Sequence, residues 1–373
     1  MSAVKNQLVS GVLGRHVIEA RVAPAATAGF ALTTGPVVVG AAGRLPGPAE
    51  VTPRTIFDLA SVSKPVVACA LLRLASRGLV DLQQPLGEVL PDARGSRSEH
   101  VRLELFLAHR AGLEAHRALF APVFAGRAVC RGVALRGAAD ARRPECGGDA
   151  GDGFPPVYSD LSYLLVGAVV EYVARAPLDE VVEREVSAPL GLELGSARQL
   201  RERRRSFDDD VAPTEIVRAR GGCVRGVVHD ENAWALSGHG CSGHAGLFGT
   251  AADVLGFGAA VLGALRGTSS WLGRTAIEAA VRRRPGGSLR AGFDGKSEGA
   301  SSAGTRSSPD TFGHLGFTGT SLWCDPTAGI ATALLSNRVH PTRENARIRA
   351  ARPVVHDALF DAAKALLPVP PIP

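Results

Sequence analysis

The order of strand-like and helical segments constrains the fold of this 373-residue chain more than any other feature. Residues 28–44 have the pattern of two strands joined by a Thr-Thr-Gly-Pro turn. Near the other end, residues 318–326 and 329–339 read as paired strands around an Asp-Pro-Thr-Ala-Gly turn. The intervening region, from about residue 100 to 280, indicates helices and loops. A sheet built from both chain ends, with helices inserted between them, accounts for this order.

We therefore predict an α+β fold in which an antiparallel sheet is flanked by helices. Residues 1–75 and 285–373 are assigned to the sheet domain, and residues 76–284 to a mostly helical inserted domain. A chain of this length suits two packed domains or one domain with a large insertion.

The clearest helix predictions are two apolar segments, residues 160–177 and 251–265, the first ended by Pro177. A final helix is predicted within residues 343–367. The Pro-rich tail at 368–373 is predicted to be extended or disordered, because proline has no amide proton for a helix or a sheet.

Composition limits the location and the partners. The longest apolar runs are well short of the roughly 20 residues that cross a bilayer, and the N-terminus is a mixed stretch without a sustained apolar segment. We expect no membrane span and no signal peptide. The six cysteines are scattered without a C-x-x-C pair, which favours reduced thiols in a cytoplasmic protein. The oligomeric state stays open.

The net charge of +6 comes almost entirely from arginine. The runs at 201–205 and 282–285 are the densest in basic residues. Neither lies in a recognisable nucleic-acid-binding motif, and runs of charge are mostly solvated surface. We expect no nucleic-acid partner.

The stretch Ser61-Val62-Ser63-Lys64-Pro65 precedes an apolar helical pattern. Ser61 could simply cap the helix, but a capping box needs Glu or Gln where Lys64 stands, and a cation is unfavourable at a helix N-terminus. In a first helical turn, Ser61 and Lys64 would share one side, about 5–6 Å apart at Cβ. A lysine whose pKa is depressed by burial could take the serine proton, whereas arginine could not. The pattern favours a nucleophile, Ser61, and its base, Lys64.

Two further elements would complete such a site. Tyr158 comes just before the helix predicted at 160–177, where its hydroxyl can point out of a loop. Tyr163 and Tyr172 fall on that helix and are expected to pack. His314, Gly316 and Phe317 stand at the start of a predicted strand; the glycine permits close backbone approach, and the next amide can bind an oxyanion.

Together these segments resemble the S-x-x-K, Y-x-N and K-T-G motifs of the serine β-lactamase and penicillin-binding-protein superfamily. Their order and separation are most similar to class C β-lactamases and to related D-alanyl-D-alanine carboxypeptidases and esterases. Longer phrases, RTIFDLASVSKP, VVHDENAWALSGHGCSGHAGLFGTAADVL and FGHLGFTGTSLWCDP, are similar to β-lactamase-related serine hydrolases. The resemblance runs from about residue 28 to 360 and implies a β-lactamase/transpeptidase-like fold.

The resemblance also implies roles. Ser61 would attack a carbonyl and form an acyl-enzyme, while Lys64 and Tyr158 share general-base work. The backbone amides of Ser61 and Phe317 would form the oxyanion hole. His314 would hold the place of the motif lysine, near a substrate carboxylate or the tyrosine hydroxyl.

Three positions depart from the family pattern: Asp160 replaces asparagine, His314 replaces lysine, and Leu315 replaces a hydroxyl residue. These changes make the site less cationic, so we expect hydrolysis of a small ester or amide with weak or absent β-lactamase activity. The alternatives are a D-Ala-D-Ala carboxypeptidase or β-lactamase proper, and a catalytically weak binding or sensor member of the fold.

Two other motifs compete with this interpretation. His229, Asp230, His239, Cys241 and His244 lie within sixteen residues and could supply zinc ligands, but their spacing matches no standard site. The glycines at 238, 240 and 243 fit G-x-G-x-x-G, yet no strand precedes them. We expect no metal and no other cofactor.

Overall fold

The computed structural model describes residues 2–46 and 50–367. The tail at 368–373, for which the sequence predicts an extended or disordered end, lies outside the described residues. The strands of the described chain are β1 (Ala25–Leu32), β2 (Val37–Gly43), β3 (Phe57–Asp58), β4 (Gly195–Ser196), β5 (Ile216–Val217), β6 (Gly222–Cys223), β7 (Leu247–Gly249), β8 (Asp294–Gly295), β9 (Phe312–Leu315), β10 (Ser321–Asp325) and β11 (Ile330–Ser336).

The main sheet has the order β2-β1-β11-β10-β9-β8, and every neighbouring pair in it is antiparallel. Strand β1 thus pairs with β2 on one side and, on the other, with β11 some 300 residues later, where Ala26 lies opposite Ser336. Two smaller sheets, β3-β7-β4 and β5-β6, lie in the rest of the chain. The predicted α+β fold, with an antiparallel sheet drawn from both chain ends, is confirmed.

The helices of the described chain are α1 (Ser2–Leu13), α2 (Ser63–Ser76), α3 (Leu86–Val89), α4 (Leu103–Leu107), α5 (Ala121–Phe124), α6 (Arg131–Ala139), α7 (Asp160–Ala174), α8 (Leu178–Val182), α9 (Ala188–Leu190), α10 (Ala197–Arg203), α11 (Phe207–Asp210), α12 (Glu231–Ser237), α13 (Ala251–Leu265), α14 (Arg274–Val281) and α15 (Ile348–Lys364).

Helices cover both faces of the main sheet, which explains why β1 is buried along its whole length. On one face, α1 and α15 enclose an apolar cluster with Val9, Phe30 and Leu359. On the other face, α13 packs against β1, β10 and β11. A sheet buried on both sides needs apolar residues at successive positions, as β1 and β11 show. The sequence does not predict α1, because its apolar residues are interrupted by polar ones.

Helix α13 matches its prediction of 251–265, and α15 lies within the predicted final helix. Helix α7 begins at Asp160 but ends at Ala174, before Pro177, because Arg175 takes a left-handed conformation with φ of 51°. The division of the chain into residues 1–75 with 285–373, and 76–284, stays a prediction; α13, which packs on the sheet, falls in the second part.

Helices α2 and α7 pack side by side and bring the ends that carry Ser61 and Asp160 together. The Gly-rich loop 238–246 lies against α7, where Gly243 approaches Gly167 too closely for a Cβ on either residue. Within the described residues, no single helix has the length and apolar composition to cross a membrane; α7 and the segment Leu178–Leu190 reach that level only as a pair, bent by 77°.

Candidate active site

Ser61 lies in a short 3₁₀ turn, Ala60–Val62, between β3 and α2. The sequence places it in the first turn of the helix; the structure places it one turn earlier, with α2 beginning at Ser63. Ala60 has a φ of +48°, which is uncommon for a residue with a Cβ. Its amide donates to Asp58 Oδ1 at 2.8 Å, and this bond holds the turn that presents Ser61.

Lys64 is fully buried, and its ammonium group has three acceptors. Nζ donates to Ser61 Oγ at 2.9 Å, to Asp160 Oδ1 at 2.7 Å and to the carbonyl oxygen of His244 at 3.0 Å. Asp160 Oδ1 and the His244 carbonyl oxygen can only accept from Lys64, and the charged form supplies one N–H for each of the three contacts. Burial alone would lower the pKa of Lys64, but the Asp160 carboxylate outweighs it and the pKa is raised. The expected depressed lysine pKa is therefore wrong in direction.

Tyr158 approaches the same serine from the other side, with its hydroxyl oxygen 2.8 Å from Ser61 Oγ. Its ring lies between the imidazoles of His109 and His314, at centroid distances of 4.9 and 5.9 Å. Lys64 Nζ lies 4.9 Å from the ring centroid. Burial raises the pKa of Tyr158, and the lysine charge opposes that rise. The ring is thus fixed by packing, while the hydroxyl is left to serve Ser61.

The other two tyrosines differ from each other. Tyr163 is buried and donates to the carbonyl oxygen of Leu107 at 2.9 Å, so its predicted packing role is confirmed. Tyr172 is 53% exposed, and the prediction that it packs is wrong.

Asp160 is the first residue of α7 and closes the site opposite Ser61. Its burial would raise the pKa of the carboxyl, but the Lys64 charge holds the pKa well below its usual range. His116 Nδ1 lies 3.9 Å from Asp160 Oδ2, and this carboxylate raises the pKa of the half-exposed imidazole. His116 is a cleft residue that sequence reasoning missed, since no motif marks it.

His314 lies near the end of β9, not at the start of a strand as the sequence predicts. Its Nδ1 donates to the carbonyl oxygen of Leu315 at 2.8 Å. Burial lowers the pKa of His314 to about 3, helped by the nearby Lys64 charge. The imidazole is therefore neutral at neutral pH, and it does not supply the charge of the motif lysine whose place it holds.

The turn after β9 carries Gly316 and Phe317, and it is held from behind by two arginines. Arg352 Nη2 donates to the carbonyl oxygen of Gly316 at 2.7 Å, and Arg338 Nε donates to that of Phe317 at 2.8 Å. In a trans peptide the N–H points away from the preceding C=O, so the Phe317 amide is directed away from Arg352. Among the described residues, neither this amide nor that of Ser61 has a hydrogen-bond acceptor. Two such amides are the donors that an oxyanion hole requires.

A cleft of about 920 Å³ opens over these groups. Its lining includes Ser61, Tyr158, Asp160, His314, Phe317 and Arg352. All seven residues that the sequence assigns to the site, namely Ser61, Lys64, Tyr158, Asp160, His314, Gly316 and Phe317, are thus brought together; Lys64 alone is behind the lining, buried beneath Ser61.

The five candidate zinc ligands do not converge on one point. His229 Nε2 lies 3.0 Å from Glu215 Oε2, and His244 Nε2 lies 2.8 Å from Asp230 Oδ1. His239 is exposed and Cys241 is buried. In the described part of the chain, no three His, Cys, Asp or Glu side chains are grouped to hold a metal ion.

Comparison with known proteins places this fold in the β-lactamase/transpeptidase type. Residues 15–356 match the family model described as Beta-lactamase, and the chain belongs to the β-lactamase family. A Bacillus subtilis (strain 168) protein named N-acetylmuramyl-L-alanine amidase is 30% identical over 315 residues, which cover 79% of this chain and 70% of that protein. A Salmonella agona (strain SL483) protein, provisionally named D-alanyl-D-alanine carboxypeptidase, is 28% identical over 324 residues, covering 81% of this chain and 73% of the relative.

Solved structures agree on the fold. EstCE1, described as a hydrolase with promiscuous acyltransferase activity, superposes with a TM-score of 0.71 at 22% identity, covering 96% of this chain and 99% of that one. A penicillin-binding-protein homologue from Caulobacter crescentus gives a TM-score of 0.68 at 20% identity, covering 96% and 97%. The chain is accordingly a hydrolase of the β-lactamase family.

Proposed function

We propose that the protein hydrolyses small esters or amides through an acyl-enzyme on Ser61. One observation carries this proposal: Ser61 Oγ lies 2.9 Å from Lys64 Nζ and 2.8 Å from the Tyr158 hydroxyl, at the cleft surface. A serine becomes nucleophilic when a neighbouring group can take its proton; the Tyr158 hydroxyl is close enough to do so, and the Lys64 ammonium is close enough to stabilise the charge that develops on the serine oxygen.

In the acylation step, Ser61 Oγ forms a bond to the substrate carbonyl carbon. Tyr158 receives the serine proton and passes its own hydroxyl proton to the leaving alcohol or amine, so the tyrosine ends the step neutral. Lys64 remains an ammonium throughout and stabilises negative charge on both oxygens. The amides of Ser61 and Phe317 bind the oxyanion. In deacylation, water attacks the acyl carbon, and its proton returns through Tyr158 to Ser61 Oγ.

The charge of the site supports an ester or a simple amide as substrate. Neutral His314 and anionic Asp160 stand where the family pattern has a lysine and an asparagine. Both changes remove positive charge or a hydrogen-bond donor from the cleft, and a carboxylate-bearing β-lactam loses a cationic partner beside Ser61.

A second candidate is a carboxylate-bearing amide, such as a peptide that ends in D-alanine. Arg338 and Arg352 line the cleft near Phe317, and their hydrogen bonds within the described residues go to backbone carbonyl oxygens. The relatives named amidase and carboxypeptidase support amide chemistry. We also propose a reducing compartment such as the cytoplasm, because all six cysteines are free thiols.

The test uses p-nitrophenyl acetate, nitrocefin, a D-Ala-D-Ala peptide and a fluorophosphonate, with intact-mass analysis. We expect turnover of the acetate ester, slow or no nitrocefin turnover, and one fluorophosphonate adduct that Ser61→Ala abolishes. Ser76→Ala, an exposed serine on α2, is the matched control. An adduct that persists in Ser61→Ala, or turnover by that variant at the wild-type rate, would overturn the proposal.

A further inference from the structure

An Asp–His pair next to Lys64 is absent from the mechanism above; its imidazole is buried, and its carboxylate, on Asp230, is 24% exposed at the edge of the cleft. The backbone carbonyl of His244 is the third acceptor of the lysine ammonium, at 3.0 Å. The imidazole of the same residue is 2% exposed, and its Nε2 lies 2.8 Å from Asp230 Oδ1. The residue whose backbone holds the lysine is therefore itself tied down by its side chain.

The loop that carries His244 has few other side-chain restraints. Residues 238, 240, 243 and 246 of this loop are glycines, which have no side chains to anchor it. Its internal bonds include Ser242 N to Ala245 O at 2.8 Å, and the hydroxyl of Ser242 lies 3.1 Å from His244 Nδ1. Both imidazole nitrogens are thus engaged, and His244 is the side chain that joins the loop to the rest of the site.

Asp230 is fixed independently of the loop. It is the N-cap of α12, where Oδ1 accepts from the amide of Ala233 at 2.8 Å. Burial would raise the pKa of Asp230, but the interaction with the His244 imidazole and the hydrogen bond from the Ala233 amide outweigh it, and the pKa is lowered. A helix cap therefore provides a rigid acceptor for the imidazole, and through the imidazole it sets the position of one backbone carbonyl.

We propose that Asp230 and His244 are positioning residues for Lys64, an inference that rests on the proposed function. The ammonium must stay within hydrogen-bond distance of Ser61 Oγ while charge develops on that oxygen. Of the three acceptors of Lys64, Ser61 reacts and Asp160 sits at the cleft surface, so the carbonyl of His244 is the acceptor that stays fixed. Because Asp230 and His244 fix this carbonyl, they also fix the position of the Lys64 ammonium group relative to Ser61.

This assignment gives a role to residues that the sequence singles out as zinc-ligand candidates. Asp230 and His244 bind each other, and the ammonium group of Lys64 binds the backbone carbonyl of His244. His239 and Cys241, from the same stretch, do not take part: His239 is exposed, and neither side chain contacts Lys64.

The experiment compares His244→Ala, Asp230→Ser and Asp230→Asn, with His239→Ala as the control on the same loop. Serine can cap α12 but is too short to reach the imidazole, whereas asparagine can do both. We expect kcat for p-nitrophenyl acetate to fall about 10- to 100-fold in His244→Ala and Asp230→Ser, with KM within about twofold, because small displacements of a catalytic group cost this much. Asp230→Asn should stay within about threefold of wild type, since it keeps both hydrogen bonds.

Rates are expressed per active site titrated with the fluorophosphonate, so a smaller folded fraction does not imitate slower chemistry. If His244→Ala fails to fold, the comparison of Asp230→Ser with Asp230→Asn still decides the matter. Equal kcat in those two variants, or a loss confined to KM, would overturn the positioning role. Ser61-dependent turnover by the wild type in the same assay separates this failure from failure of the proposed function.

Discussion

Lys64 and Asp160 form an ion pair with 2.7 Å between Nζ and Oδ1, although 96 residues separate them along the chain. The lysine side chain is fully buried and the aspartate side chain is 21% exposed. The Asp160 carboxylate favours the cationic form of Lys64, and in the proposed mechanism Tyr158 is therefore the group that moves protons. Asp160 therefore places a negative charge beside Lys64 where the family pattern has the neutral amide of asparagine.

Asp160→Asn should lower the upper pH limit of activity. The amide oxygen still accepts from Lys64, but without the carboxylate the desolvation of the buried ammonium is opposed less, and the pKa of Lys64 falls. The ammonium form is then lost at a lower pH. The measurement is the kcat profile of p-nitrophenyl acetate hydrolysis from pH 6 to 10. Activity of the variant that stays constant up to pH 10, as expected for the wild type, would contradict the assignment of Lys64 as a required cation.

Tyr158→Phe should abolish most turnover without unfolding the protein. Phenylalanine keeps the ring packed between His109 and His314, and loses only the hydroxyl that lies 2.8 Å from Ser61. Removal of a general acid–base group costs about 10²- to 10⁴-fold in rate. The lost hydrogen bond costs only about 1 kcal/mol of stability. The checks are kcat and urea unfolding; a rate loss below about tenfold would exclude Tyr158 as the proton carrier.

Acid should destabilise the protein steeply. Burial lowers the pKa of His109, His314 and His356 to about 3 each. In the unfolded chain their pKa is near 6.5, so between about pH 6.5 and 3 the unfolded state binds protons that the folded state does not. The stability present above pH 6.5 is then lost as the pH falls, by about 1.4 kcal/mol per histidine per pH unit.

Urea unfolding at pH 7, 6 and 5 measures this slope. His356→Asn is the matched variant, because His356 forms its hydrogen bonds with the hydroxyls of Ser321 and Thr332 and does not line the cleft that holds Ser61. Its slope should be about one third smaller than that of the wild type, since one of three histidines is gone. An unchanged slope would show that His356 is already protonated in the folded state.

Gly316→Ala should disrupt the oxyanion side of the cleft. A Cβ there would overlap the Thr320 hydroxyl and come within 2.6 Å of the carbonyl oxygen of Leu59, so the turn would have to shift. Overpacking of this kind costs about 1–3 kcal/mol and would displace the Phe317 amide. Gly137→Ala is the control, because a Cβ on that helical glycine meets nothing within 4 Å. Wild-type kcat in Gly316→Ala would argue against an oxyanion role for the adjacent amide.

Much of the fold and site could be predicted because the signals are local. Ser61 and Lys64 are three residues apart, and the strand and helix patterns around them follow from apolar spacing. The missed features depend on distant contacts. His116 belongs to the site because it lies next to Asp160, 44 residues further along the chain. The carbonyl of His244 contacts Lys64 across 180 residues. The sequence predicts a lowered pKa for Lys64 because it shows an apolar, buried setting but not the Asp160 carboxylate, which raises the pKa.

The main sheet cannot be completed until late in translation, because β1 pairs with β11. The amide of Ala25 donates to Asn337, 312 residues later, and until those residues leave the ribosome the apolar edge of β1 has no native neighbour on that side. At about 5–20 residues per second, this interval is roughly 15–60 seconds. The nascent chain therefore carries an unpaired apolar strand edge for most of its translation, and an edge of this kind is open to pairing with other chains until β11 arrives.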